Sequence, residues 1–345
     1  RSDLDVRLGS LVEVGIGKQT VLYQIIDGLT KEEILQQKNS RGYVHAHAKK
    51  IGSWSATRSS FDSVPWLPQP NEAVLLAPHT EKQPEKDEVG HLPGTSYPVC
   101  IDPHLLVTHN AAVLGILGVG KTFLAIELVE RMVAAGIKVI CIDLTNQYAT
   151  ELSAFHDAAA EKSQFDELQK IGETGKSNVS KHVEEGGSVR EFTDKVRDHI
   201  KAFLDSTHDG KLKILNPAQF TVWRQDSKPY QDQASMATLT PCEITRIFTE
   251  ATLLVLQEQG MSDKARCCLV YEEAHSLIPE WIAVASEGDK TATNGTAKAI
   301  LQGRKFGLGC LVITQRTANV TKSILSQCNT VFALRVFDAT GMEFL

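Results

Sequence analysis

The chain has 345 residues, enough for two domains or for one large domain with a smaller companion. Its formal net charge of −6 excludes a broad basic surface of the kind that coats nucleic acid, but not DNA gripped inside a ring by a few lysines per subunit. No apolar run reaches the ~18 residues of a transmembrane helix, and the start Arg1-Ser-Asp-Leu-Asp has no signal-peptide architecture, so no membrane association is expected. Seven cysteines form an odd set without metal-ligand spacing. Cys141, Cys267, Cys268 and Cys310 lie inside apolar runs, the usage of reduced, packed thiols in a cytoplasmic protein. The chain starts without methionine and stops after Phe344-Leu345, and reads as a fragment of a longer protein.

Residues 1–77 read as short strands. Ser10-Leu-Val-Glu-Val-Gly-Ile and Gln19-Thr-Val-Leu-Tyr-Gln-Ile-Ile alternate or are β-branched, with Gly15 and Gly17 as a hairpin signal between them. Tyr43-Val-His-Ala-His-Ala is a third strand, Trp54, Pro65, Trp66 and Pro68 punctuate the stretch after it, and Glu72-Ala-Val-Leu-Leu-Ala is placed to close the unit. A small β-barrel fits this pattern best. Residues 78–98, rich in Pro, Gly, Lys and Glu, read as a linker or long loop. From residue 99 to 345 strands alternate with helices, which predicts an α/β domain with a parallel sheet. Within it, residues 150–205 are polar, mostly helical and poor in aromatics, and read as an insertion or lid. Residues 243–258 form a strong amphipathic helix behind Pro241.

The most informative segment is Gly115-Ile-Leu-Gly118-Val119-Gly120-Lys121-Thr122. An apolar run over 111–117 feeds into it like a buried strand. A helical pattern over 122–135 leads out, with Phe123, Ile126, Val129, Met132 and Val133 at helical spacing and Gly136 as its stop. The glycines let successive N–H groups turn toward an anion, Lys121 reaches the β- and γ-phosphates of ATP, and the Thr122 hydroxyl ligates Mg²⁺. Gly115, Gly118, Val119, Gly120, Lys121, Thr122 and Phe123 make up the expected nucleotide-binding set.

Four further elements bear on chemistry. The apolar run Cys267-Cys-Leu-Val-Tyr271 ends in Glu272-Glu273-Ala274-His275; Glu272 is assigned to the Mg²⁺ shell and Glu273 to the attacking water, against the alternative of a solvated strand edge. Leu311-Val-Ile-Thr314-Gln315 is another strand ending in a polar group, so Gln315 is placed to sense a γ-phosphate or to position the water. Arg304 precedes that strand at its opposite end. It reads either as an arginine finger for the ATP of an adjacent subunit or as a helix-terminal arginine complementing the dipole. Asp143 ends the strand 138–143 and serves either the phosphate loop and its waters or as a helix N-cap. For DNA, Lys211, Lys213, Lys290 and Lys298 are candidates, each also readable as a solvated surface lysine.

In this order and spacing the motifs resemble the HerA branch of the HerA–FtsK ATPases. Residues 115–122 match its Walker A, and Val270-Tyr-Glu272-Glu273-Ala-His275 resembles its Walker B. Gly303-Arg304-Lys-Phe-Gly-Leu-Gly-Cys-Leu-Val-Ile-Thr-Gln315-Arg316, with Leu325-Ser-Gln-Cys-Asn329-Thr after it, resembles its most specific block. Gly118-Val119-Gly120 departs from the family's Gly-Ser-Gly loop. After Asp143, Asn146-Gln147 stands where the family has Gly-Glu, with Tyr148 matching. The resemblance implies a RecA-like phosphate-loop core, an N-terminal barrel like that of rotary ATP synthases, and a homohexameric ring with ATP at the subunit interfaces. It further implies double-stranded DNA as the translocated substrate, and as partner a nuclease of the NurA type or a sirtuin-like or nuclease effector of antiviral defence. A ring that scaffolds and regulates such an effector, without obligatory translocation, is the alternative role.

Overall fold

The computed structural model describes residues 7–16, 19–31, 43–55, 57, 60–65, 76–78, 88–92, 97–174, 187–206, 211–226, 235–281 and 286–335. Chain contacts divide it into two compact units, Arg1–Asp102 and Pro103–Leu345.

In the first unit, β1 (Leu11–Ile16) and β2 (Gln19–Lys31) form the expected antiparallel hairpin. With β3 (Tyr43–Ser55), β4 (Ser60–Asp62) and β5 (Leu76–Pro78) they make a five-stranded sheet in the order β4-β3-β2-β1-β5. The expected barrel is not confirmed: among the described residues the three-residue strands β4 and β5 are the two edges of this sheet and no pairing joins them, whereas a barrel requires its edges to join. A separate ladder joins β6 (Glu88–His91), inside the segment read as a linker, to β7 (Pro98–Cys100), which begins at its end. Leu11, Leu22 and Tyr97 are the buried centre of this unit. Trp54 packs edge-on and Phe61 tilted against Tyr97, with ring centroids 5.5 and 5.7 Å from it.

The second unit is built on a six-stranded parallel sheet. Its strands are β8 (Ala111–Leu114), β9 (Lys138–Asp143), β10 (Leu212–Leu215), β13 (Ser262–Glu272), β14 (Phe306–Thr314) and β15 (Thr330–Ala333), in the order β10-β9-β13-β14-β8-β15. A small hairpin of β11 (Trp223–Asp226) and β12 (Ser235–Thr238) lies outside it. The helices are α1 (Pro103–Thr108), α2 (Lys121–Ala134), α3 (Tyr148–Glu151), α4 (Ala158–Thr174), α5 (Val189–Asp205), α6 (Pro241–Glu258), α7 (Ala274–Leu277), α8 (Glu287–Gly303) and α9 (Lys322–Leu325).

The strands read as continuous apolar runs because both faces of the sheet are covered: α1 packs on β13 and β14 and α2 on β8 and β9, while α6 and α8 pack on β14. Helix α6 starts where Pro241 predicts, behind a capping box in which Thr240 and Glu243 each satisfy the other's backbone N–H. Helices α4 and α5 are not peripheral. Leu168, Phe192, Val196 and Ile200 belong to the same buried cluster as Ile140, Ile142, Leu269 and Phe248. All seven cysteines are free thiols, and burial pushes the pKa of Cys141, Cys267 and Cys310 well up, so they stay protonated and inert. Among the described residues no helix is long and apolar enough to cross a membrane.

Candidate nucleotide site

The register of the parallel sheet gathers four strand ends at one edge. Thr314 lies beside Leu114, Tyr271 beside Val312 and Glu272 beside Asp143. The residues immediately after β8, β14 and β13 are Gly115, Gln315 and Glu273, so three segments far apart in sequence leave the sheet at one level. In open parallel sheets ligands bind at this carboxyl edge.

Between β8 and α2 the backbone turns through two left-handed glycines, Gly118 at φ 78° and Gly120 at φ 91°. A Cβ on either would meet nothing within 4 Å, so backbone conformation and not space demands glycine there. Gly115 is set by space instead: its Cβ would lie 3.0 Å from Val119 Cγ2 and 3.2 Å from Leu334 Cβ. The loop is tied at its base, where Ile116 N–H donates to Arg335 O at 2.8 Å. No side chain caps α2, which leaves the amides of its first turn for an anion. Lys121 is buried, and its ammonium donates back across the loop to Ile116 O at 2.8 Å. Burial pushes its pKa down, and the carboxylates of Glu273 and Glu272 push it up.

Glu272 is 4% exposed, and its Oε2 accepts a hydrogen bond from the Tyr148 hydroxyl at 2.8 Å. Burial raises its carboxyl to about 7; Asp143 and Glu273 push the same way, and the Tyr148 hydroxyl and Lys121 oppose them. Asp143 serves the turn beyond β9, accepting from Thr145 N–H at 2.7 Å, Thr145 Oγ1 at 2.6 Å and Tyr148 N–H at 3.1 Å. Asp143 thereby closes the turn ahead of α3, whose N-cap is Gln147. It also seats Tyr148 at the start of α3, from which the ring reaches Glu272.

Glu273 leaves β13 in the left-handed region, at φ 53° and ψ 49°. That conformation costs a non-glycine residue on the order of 1 kcal/mol, and such costs cluster at functional positions. Gln315 Nε2 donates to Glu273 Oε1 at 3.3 Å. His275 Nδ1 lies 3.2 Å from Glu273 Oε2, and Oε2 has no hydrogen-bond partner among the described residues although it is buried. Burial also pushes the His275 imidazole down, which favours its neutral form.

The fold thus brings Lys121, Glu272, Glu273 and Gln315 to one edge. Thr122 and Phe123 line an adjoining cleft of about 460 Å³ with Ile126, Asn146, Gln147 and Thr150. Phe123, placed by periodicity on the apolar helix face, is 78% exposed, and the buried face of α2 is Ala125, Leu128, Val129, Met132 and Val133. Arg304 lies just after α8 at the other edge of the sheet, where β14 begins, away from the loop of its own chain. Lys213 does not face solvent as a DNA contact must: it is 7% exposed and bonded to Gln164. Lys211 Nζ reaches Val133 O at 3.4 Å, Lys290 pairs with Glu287 at 2.6 Å, and Lys298 is exposed. Tyr148 is the site residue whose part sequence reasoning missed.

Among the described residues no three His, Cys, Asp or Glu side chains form a metal cage by themselves. Two adjacent strand-end carboxylates, one raised chiefly by burial and one with an oxygen that takes part in no hydrogen bond among the described residues, fit Mg²⁺ of the kind that keeps water and substrate phosphate as its other ligands.

A glycine loop between a central parallel strand and a helix, with a buried lysine facing a strand-end acidic pair, defines a phosphate-loop nucleotide-binding core. The resemblance to HerA is borne out: residues 87–224 match the family model described as helicase HerA, central domain. Among curated proteins the chain is similar to the DNA double-strand break repair helicase HerA of Saccharolobus solfataricus, 24% identical over 185 residues covering 52% of this chain and 33% of the relative. It is similar also to the helicase of that name from Pyrococcus furiosus, 32% identical over 77 residues covering 22% and 13%. The chain therefore spans about a third or less of the length of these relatives. Among solved structures it is similar to VirB4 of Thermoanaerobacter pseudethanolicus, with 13% identity, a TM-score of 0.39 and coverage of 77% and 88%. The genome packaging NTPase B204 from Sulfolobus turreted icosahedral virus 2, in complex with ATP-gammaS, gives 12%, 0.38, and 71% and 81%.

Proposed function

We propose that this chain is the motor core of a ring-forming ATPase that hydrolyses ATP and moves double-stranded DNA. The observation that carries the reading is the meeting of Lys121, Glu272, Glu273 and Gln315 at one strand edge beside an uncapped helix start. Lys121 and the amides of the loop hold the phosphates, Thr122 and Glu272 would hold Mg²⁺, and Glu273 takes the proton of the attacking water through Oε2, which takes part in no hydrogen bond among the described residues. Gln315, bonded to Glu273, aligns that water with the γ-phosphate. Mg²⁺, when bound, neutralises charge developing on the β- and γ-phosphates. The work of the chain itself is positioning and electrostatics.

Arg304, at the far edge, completes a neighbour's site and not its own, which makes a homohexamer with interfacial ATP the natural assembly. The partner is a nuclease or a defence effector docked on the N-terminal unit, which carries none of the residues assigned to ATP chemistry. The test is ATPase activity of the full-length protein with and without duplex DNA across a salt series. Stimulation by duplex that weakens as salt rises supports the motor. Hydrolysis indifferent to DNA, together with partner activity that depends only on ring formation, overturns it in favour of an ATP-regulated scaffold.

A further inference from the structure

Arg304 Nη2 lies 3.0 Å from His109 Nε2. His109 sits in the short link between α1 and β8. Its tautomer is set by its other nitrogen. Nδ1 lies 3.1 Å from Leu105 O and 3.1 Å from Thr108 Oγ1. A carbonyl oxygen only accepts, and the Thr108 hydroxyl donates to His104 O at 2.9 Å, so Nδ1 carries the hydrogen toward both. Nε2 is left with a lone pair, and the Arg304 N–H donates to it.

The ring is held to the sheet on both sides of its backbone. His109 O accepts from Asn329 N–H at 3.1 Å, and Asn110 Oδ1 accepts from Cys310 N–H at 2.9 Å. Other arginines of the chain are treated differently: Arg131, Arg197, Arg224 and Arg246 each pair with a glutamate. Among the described residues no carboxylate lies in ion-pair range of Arg304. A guanidinium oriented by a neutral acceptor keeps its full charge and its remaining donors for an anion from outside the chain.

We propose that His109, as its neutral Nδ1–H tautomer, is a positioning residue that holds Arg304 toward the γ-phosphate of ATP bound by the adjacent subunit. The proposal rests on the trans-acting role of Arg304 given above. It adds a second residue to that edge, one that touches no substrate and acts only through Arg304.

The test is steady-state ATPase kinetics of the full-length protein, with ring assembly monitored by light scattering. Arg304→Ala should lower kcat by about 10³-fold, the range of a lost arginine finger. His109→Leu should lower kcat by about 10–100-fold, as a misplaced group does, with KM for ATP within about twofold of the parent. His109→Gln, whose Oε1 can accept from Arg304, should recover most of that loss. In the Arg304→Ala background, His109→Leu should cost nothing more, whereas a merely structural histidine would cost the same in both backgrounds. If His109→Leu does not assemble, His109→Gln is compared with His109→Lys, which replaces the acceptor by a donor; equal kcat in those two overturns the proposal. So does a His109→Leu loss that persists in Arg304→Ala, or a parent-like kcat in assembled His109→Leu. A parent-like kcat in Arg304→Ala overturns the trans role itself, a separate result.

Discussion

The Tyr148 hydroxyl donates to Glu272 Oε2 at 2.8 Å across 124 residues of sequence, and both side chains are buried. The bond exists because Glu272 is in register with Asp143 and Asp143 seats the N–H of Tyr148. One strand end thus aims the aromatic ring that fixes the carboxylate on the next.

Tyr148→Phe tests that relationship. A hydrogen bond to a charged group contributes about 1.5–3 kcal/mol, so kcat should fall by about tenfold and stability to chemical denaturation by about 1–2 kcal/mol. The assay belongs at pH 8, above the value of about 7 to which burial raises Glu272. Nucleotide affinity in the absence of divalent cation should not change, because the hydroxyl removed is bonded to Glu272 and not to the loop. An unaltered kcat would show that Glu272 needs no such orientation.

Glu273→Gln keeps the shape of the side chain and the bond from Gln315, and removes the proton acceptor. Turnover should fall by about 10²–10⁴-fold, the range for a lost general base, while ATP binding measured by fluorescence titration persists. Lys121→Ala should do the reverse and lose binding first, because it removes the only ammonium at the loop among the described residues. Normal turnover in Glu273→Gln would move the base to another residue.

The parts of this site legible in sequence are those written in contiguous residues. The loop of residues 115–122 carries its conformation in its glycines, and Glu272-Glu273 and Gln315 announce themselves by ending apolar runs. What stayed hidden depends on register or on distant pairs. Tyr148 is invisible until β9 and β13 are set side by side. Lys213 sits in a strand that reads Lys-Leu-Lys, where alternation suggests a wet face, yet α4 supplies Gln164 to receive it. In α5 the signal is present but diluted: Phe192, Val196 and Ile200 recur every four residues and are fully buried, within a segment that is otherwise highly polar. Whether the N-terminal strands close into a barrel is likewise not written locally, because closure is a long-range pairing that no short window encodes.

Gly309 shows the same limit from the other side. It stands in Gly307-Leu-Gly309, which reads as part of a family block, and its local reason is close packing: a Cβ there would lie 1.7 Å from Val107 O of α1. Backbone cannot yield as a flexible side chain can. Gly309→Ala should therefore cost more than about 3 kcal/mol or prevent folding, in contrast to Gly118→Ala, where space is open and only backbone conformation resists at about 1 kcal/mol. Soluble yield and urea midpoints of the two variants would order them; equal midpoints would mean that α1 is free to shift off β14.

His199 gives the pH prediction. It lies on α5 at 8% exposure, with Nε2 2.9 Å from Glu167 Oε2 of α4, while Nδ1 is buried with no hydrogen-bond partner among the described residues. Protonation would put a second N–H where nothing accepts it. Burial pushes the imidazole below its ordinary 6.5; the Glu167 bond opposes this, and Lys213 and Lys195 reinforce it. With the folded value lower than the unfolded one, the unfolded chain binds more protons across the interval between them. The neutral histidine's contribution to stability is thus fully present above about pH 6.5 and is lost as pH falls through 6.5 toward the folded value. His199→Gln removes this titration. The variant should lose less stability than the parent between pH 7.5 and 5.5, measured by urea denaturation at each pH. Parallel losses in the two proteins would assign the acid sensitivity of this helix pair to another group.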